Sequence, residues 1–320
     1  MKSIRTVGLA ILLLLLLSYP VLAAETNQTM GMNPVVFVII MFLVCTLIGI
    51  IAVLAGVGGG VIFTPLLMGF TPIDSYVIRA TGLTVAMAGA LVAGRPFLRR
   101  GLANIRLLFL SAVPYTVFAV VGALLAGYIK ATMGEFGEAI IRLGLGAIVI
   151  CVALVFIFAG KRIEYPEVKH VDSFSERLGL AMAYWEESLG RVINYKVTRA
   201  WLGLTLFSAI GLISGLFGLG AGWAMIPVLN LIMCVPLKVA ATCSKVLIGI
   251  GDTAAVWVYI SGGGILPLFT IPCAIGLILG TLIGAKIMVK VKAGFIRWII
   301  IGIMFLAGLR LIYAGLTKIM

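Results

Sequence analysis

Apolar residues run along this chain in blocks close to 20 residues long, separated by short polar or charged turns, with no sustained alternation of apolar and polar positions. Blocks of that length predict helices that cross a bilayer, whereas a membrane barrel needs segments of about 10 residues with period-two alternation. The pattern predicts a span over 34–55, a short apolar segment over 61–70, the polar turn "TPIDSY" and a helix over 77–94. Spans at 105–129 and 140–159 follow, joined by the acidic turn "GEFGE". After a charged stretch the order returns: a span over 201–217, a short segment over 223–233, a helix over 239–260, and spans at 266–289 and 296–316.

Each short segment opens on a glycine-rich run that interrupts an apolar block, "GVGGGVIFTP" at 56–65 and "GLGAGWAMIP" at 218–227. The correspondence extends beyond hydropathy. Gly49, Gly56, Gly58, Gly60 and Pro65 fall on Gly211, Gly218, Gly220, Gly222 and Pro227 at a constant offset of 162. Ala80 and Thr81 fall on Ala241 and Thr242, Pro114 and Gly122 on Pro272 and Gly280, with the offset drifting by only a few residues. The chain therefore reads as an internal duplication, a first membrane repeat over 34–159 and a second over 201–317. An odd number of crossings per half makes the second copy run upside down, as in many secondary transporters. The expected fold is an all-α polytopic membrane protein of two inverted-topology repeats, each with a broken, re-entrant half-helix after its glycine-rich run.

Composition agrees: hydrophobic residues make up 62% and charged residues 11% of the 320-residue chain, and the mean hydropathy is +1.23. The net charge of +13 could suggest nucleic acid, but 15 of the 24 basic residues cluster in 95–106, 160–200 and 286–297, flanking apolar helices. That is the positive-inside signature, and it makes 160–200 a charged cytoplasmic linker and excludes a nucleic-acid partner. Residues 1–24 join a basic start, a short apolar run and the small-residue ending "YPVLAA", which reads as a signal peptide with the mature N-terminus outside; an uncleaved first helix is the alternative. The setting is then the cell membrane. The five cysteines show no paired spacing, the single histidine (His170) lies in the charged linker, and no HExxH, GxSxG or complete GxGxxG occurs. Nothing calls for a metal, a cofactor or an enzyme.

A helix begun at membrane depth exposes unpaired N–H groups and the positive end of its dipole, which in lipid requires a polar or anionic partner. Glycine lets a ligand approach the backbone closely. Two such N-termini related by a pseudo-two-fold axis would converge on one small anion near the midplane. The candidate binding residues are Gly58, Gly59 and Gly60 in the first copy and Gly220, Ala221 and Gly222 in the second. Close helix packing through small residues is the plainer alternative. On the helices after the breaks, Thr81 and Thr84 correspond to Thr242 and Lys245, with Ser244 alongside. A lysine at membrane depth points to function, and Asp252, two turns on, is a candidate proton acceptor or ion ligand, so that a proton or sodium would be the coupling ion. Alternatively, Lys245 and Asp252 form a satisfied pair, or the lysine reaches to the membrane interface. Arg79 and Asp74 read as solvated loop charges.

The paired GxGxG runs, each with a proline nine residues after its first glycine, the segments "RATGLT" and "AATCSK", and the segments "VGALLAG" and "LGTLIGA" resemble the TauE/SafE family of anion permeases over about 36–316. The resemblance implies export or uptake of a small sulfur oxyanion or organosulfonate such as sulfite or sulfoacetate. Two departures bear on the substrate: Ala221 stands where a third glycine is usual, and Trp223 closely follows it. The competing readings are a passive anion channel, a permease for a cation or metal ion, and a structural membrane partner that docks through 160–200.

Overall fold

A computed structural model describes residues 33–54, 58–99, 101–158, 166, 168, 170–186, 190–287 and 293–319. The signal segment expected at 1–24 and Gly56 of the first glycine run lie outside these residues. Among the described residues, seven helices are long and apolar enough to cross a membrane. The first half comprises α1 (Pro34–Leu54), the short α2 (Gly59–Phe70), α3 (Ser75–Arg99) and α4 (Ile105–Phe158). Helix α4 consists of two limbs. Gly134 between them has φ 51° and ψ −127°, and a Cβ on Gly137 would lie 2.6 Å from the side chain of Ile129, eight residues earlier, so the second limb folds back sharply.

The 160–200 stretch was expected only as a charged loop. It carries a short helix α5 (Ser173–Arg177) and an antiparallel hairpin, β1 (Met182–Glu186) with β2 (Arg191–Tyr195). One face of β1 is buried through Tyr184 and Glu186 while Ala183 and Trp185, which alternate with them, are exposed, the period-two alternation of a half-buried strand. The hairpin is tied to helix ends. Asn104 Nδ2, ahead of α4, donates to the Leu180 carbonyl and to the Tyr195 hydroxyl, and buried Glu186 pairs with Lys238 near the start of the second long middle helix.

The second half comprises α6 (Ala200–Phe217), α7 (Gly222–Pro227) running into a π-helical turn at Val228–Ile232, α8 (Leu237–Ser261), α9 (Pro267–Ile287) and α10 (Ala293–Ile319). The packing between halves is reciprocal: α1 lies on α9, the first limb of α4 lies on α6, and the middle helices α3 and α8 lie on each other. Backbone contact makes the first two interfaces possible. A Cβ on Gly49 would stand 2.6 Å from the Leu277 carbonyl oxygen, and Gly280 faces Thr46 and Gly49. In the other interface Gly211 and Gly215 face the backbones of Tyr115 and Ala119, and Gly122 faces Leu212. Gly49 and Gly211, and Gly122 and Gly280, are pairs matched between the two glycine-run halves of the sequence, and with Gly215 they serve as small-residue contacts between helices. The outward faces stay apolar, with Leu43, Leu47, Phe109, Val113, Leu306 and Tyr313 among their exposed residues, as a lipid-facing surface requires. Three cysteines (Cys45, Cys243, Cys273) are buried, while Cys151 is on the surface.

Candidate functional site

The two broken helices begin against each other. Gly58, the residue preceding α2, has an extended backbone (φ −68°, ψ 143°) and no side chain caps the helix; α7 begins after Ala221, also without a side-chain cap. A Cβ on Gly222 would lie 3.1 Å from the Gly58 nitrogen and 3.4 Å from its Cα, so the N-terminal ends meet near van der Waals distance. Leu54 ends α1 four residues before Gly58, and Gly218 ends α6 in the left-handed region at φ 67°. Gly220 is left-handed as well, at φ 66°. L side chains rarely adopt that conformation, which explains glycine at both positions.

The second break is held chiefly by the first half. Thr64 Oγ1 of α2 donates to the Gly218 carbonyl at 2.6 Å, and a Cβ on Gly60 would lie 2.6 Å from the Leu219 carbonyl oxygen. Arg79 of α3 is buried, contrary to the expectation of a solvated loop charge: 1% of its surface is exposed. Its Nη1 donates to the Leu216 carbonyl at 3.0 Å, satisfying the C-terminal end of α6. Tyr259 adds a second donor to the same end, through the Gly215 carbonyl at 2.7 Å. Asp74 is solvated as expected, exposed and paired with Lys130.

Helix α8 runs along the second break with one face. Ser244, Ile248 and Asp252 stand four residues apart and share that face. Ile248 Cδ1 lies 3.4 Å from the Cβ position on Gly222, and Asp252 Oδ2 lies 3.4 Å from that on Gly220. Five enclosed side-chain polar atoms among the described residues have no hydrogen-bond partner: Ser111 Oγ, Thr116 Oγ1, Trp223 Nε1, Ser244 Oγ and Asp252 Oδ2. Of these, Asp252 Oδ2 stands at the second break, Trp223 belongs to the helix that starts there, and Ser244 is on the face of α8 that carries Ile248 and Asp252. Buried polar atoms are almost always paired, so an orphaned carboxylate oxygen beside a backbone break marks a place for a polar partner. The other oxygen of Asp252 is well held. Tyr115 of α4 donates to Oδ1 through its hydroxyl, as does Ser214 of α6 at 3.3 Å. The partners of Asp252 are therefore these hydroxyls and not Lys245.

Of the residues expected at the site, Gly58, Gly60, Gly220, Ala221, Gly222 and Asp252 gather at the two breaks, Ser244 is buried two turns before Asp252 on α8, and Gly59 packs on the Leu277 side chain. Thr81 is drawn toward α9, its hydroxyl 2.9 Å from that of Thr270. Thr84 and Thr242 each donate to the carbonyl one turn back on their own helix, Ala80 and Lys238. Lys245 is half-buried one turn before Ile248, its Cβ 3.5 Å from the Cβ position on Gly94. Sequence reasoning missed Tyr115, Ser214 and Thr64. A tyrosine directly after Pro114 in an apolar span, and a threonine directly before Pro65, were the signals available.

The comparisons with known proteins follow the same outline. Residues 41–311 match the family described as "Sulfite exporter TauE/SafE". The chain belongs to this family. It is similar to "Probable membrane transporter protein YunE" of Bacillus subtilis, 22% identical over 286 residues that cover 86% of this chain and 98% of the relative. It is also similar to a "Probable membrane transporter protein" of Haemophilus influenzae, 26% identical over 274 residues, 86% of this chain and 94% of the relative. No solved structure matches. As a member of the TauE/SafE family, the chain is a multi-pass membrane transporter.

Proposed function

We propose that this transporter is a permease for a small anion, a sulfur oxyanion or organosulfonate such as sulfite or sulfoacetate, moved between two inverted repeats. The observation that carries the reading is the meeting of two uncapped N-termini, Gly58 on α2 and Ala221–Gly222 on the segment Gly222–Ile232. Their unpaired amides and aligned dipoles favour a negative charge beside the Gly58–Gly222 contact. Ser244 Oγ and Trp223 Nε1 supply further donors, and Lys245 a full positive charge. Thr81, Thr84 and Thr242 line the helices that flank the breaks. The reciprocal packing of the halves supports the pseudo-two-fold arrangement that alternating access needs. The basic clusters put 95–106, 160–200 and 286–297 on the cytoplasmic side of the cell membrane.

One observation favours a second reading: the unpartnered carboxylate oxygen of Asp252 beside Gly220 would suit a cation permease. A passive anion channel is the third. The test is a thermal-shift and binding screen of the purified protein against sulfite, sulfate, thiosulfate, sulfoacetate and taurine, with sodium and divalent metal ions alongside. A folded-state ligand raises the apparent stability. Stabilisation by one of the sulfur oxyanions or sulfonates is expected; stabilisation by a cation alone would replace the anion reading. Accumulation of the bound anion against its gradient in proteoliposomes separates a permease from a channel.

A further inference from the structure

We infer that Asp252 carries a proton through the transport cycle, on Oδ2, so that the anion and the proton bind the second break together. The inference rests on the anion-permease reading and adds the identity of the coupling ion.

The geometry sets two faces of one carboxyl apart. Oδ1 accepts from Tyr115 and Ser214, on two different helices. Oδ2 has no partner, is enclosed, and points at the backbone of Gly220 in the break. Among the described residues, no charged group pairs with it. From α4 the titratable neighbour is Tyr115, and from α6 the polar one is Ser214. From α3 the residue at Gly220 is Ala86, while Arg79 of the same helix lies against Gly218 with its guanidinium on the Ser75 and Leu216 carbonyls. The segment Gly222–Ile232 has no ionisable residue. On α8 itself Lys245 and Tyr259 are seven residues away in either direction, about 10 Å along the axis.

An ionised carboxylate at this point would hold a full charge in an apolar surround with no counter-cation, and it would repel an anion at the adjoining N-termini. A proton from water on Oδ2 removes both effects and turns that oxygen into a donor beside Gly220. When the proton leaves to water on the other side, the carboxylate reappears and expels the anion. Tyr115 and Ser214 keep Oδ1 hydrogen-bonded in both states, so the proton exchanges at Oδ2. Gly251 is what admits Tyr115: its missing Cβ makes room for the tyrosine ring against α8.

The experiment is calorimetric titration of the purified full-length protein with sulfate, thiosulfate and sulfoacetate, none of which changes its charge in neutral to alkaline buffer. Each titration is run in two buffers of different protonation enthalpy. The wild type is expected to take up close to one proton per anion at alkaline pH, with affinity falling about tenfold per pH unit. In Asp252→Asn the uptake disappears and affinity no longer follows pH. Tyr115→Phe removes a donor that stabilises the carboxylate, so anion affinity persists to higher pH; this variant decides the matter if Asp252→Asn does not fold. Anion binding without proton uptake, or uptake that survives in Asp252→Asn, overturns the inference and leaves the anion permease standing. Absence of binding by every anion overturns both.

Discussion

Thr64 on the first broken helix donates to the Gly218 carbonyl at the second break, across 154 positions of sequence, at 2.6 Å. The bond fixes how the two half-helix N-termini face each other, because Gly218 ends α6 and Gly222 begins α7. Thr64→Val keeps the shape and leaves the buried Gly218 carbonyl without its donor. A loss of stability of about 1–3 kcal/mol is expected, read as a lowered melting temperature in detergent, with Thr64→Ser close to wild type. An unchanged melting temperature for the valine variant would show that the carbonyl finds another partner.

The two glycine runs differ in what they tolerate. Gly58 has an extended backbone, and a Cβ there would have its nearest neighbours at 3.9 Å. Gly220 has φ 66°, and a Cβ there would lie 2.7 Å from that of Ala86. Gly58→Ala is therefore expected to fold while losing anion affinity, because its methyl group stands beside the exposed amides. Gly220→Ala is expected to fail earlier, as a destabilised or aggregated protein in size-exclusion chromatography.

Lys245 is where the two copies differ in charge, since its counterpart is Thr84. An ammonium near an anion held by helix N-termini adds a full charge in a site of low dielectric. Lys245→Met is expected to lose at least tenfold in anion affinity, about 1.4 kcal/mol. Lys245→Arg should keep part of it, and Thr84→Ala nearly all. Because Asp252 is bonded to Tyr115 and Ser214, adding Asp252→Asn to Lys245→Met should not restore function. Recovery in the double variant would mean that the two residues act as a pair.

Asp172 ties the linker together. It accepts from Ser175 N and Oγ, Thr198 Oγ1 and Arg199 N. Burial pushes its carboxyl up, but the hydrogen bonds from Ser175, Arg199 and Thr198 outweigh that and hold it below the ordinary aspartate value. A carboxyl lowered on folding contributes stability above its unfolded-state value and loses it as pH falls through the folded one. Asp172→Asn should thus expose the linker to limited proteolysis at neutral pH, and the difference from wild type should close in acid.

Sidedness follows from the basic clusters. With the native cysteines replaced, labels on His170→Cys and Glu135→Cys, both exposed positions, should react from opposite sides of the membrane. Reaction from one side would end the inverted-repeat proposal.

Much of this architecture is local in origin and could be read along the chain. Apolar blocks of membrane length, basic clusters between them, and glycine runs that cannot continue a helix each act through a few neighbouring residues, so sequence alone located the helices, both breaks and the family. Even the hairpin left a trace in the aromatic and β-branched residues on either side of Gly190, hidden by the charge around them. What sequence could not supply is which side chains meet. Tyr115, Ser214 and Asp252 come from three helices, 137 and 38 positions apart along the chain. Arg79 looked like a loop charge because it follows a polar turn, yet the end of α6 lies over it and its carbonyls need the donor. Such meetings depend on how the helices pack, and packing is set by surface complementarity between distant segments that leaves no period in the sequence. The tertiary structure alone therefore decided that Asp252 faces a glycine and two hydroxyls in place of a lysine.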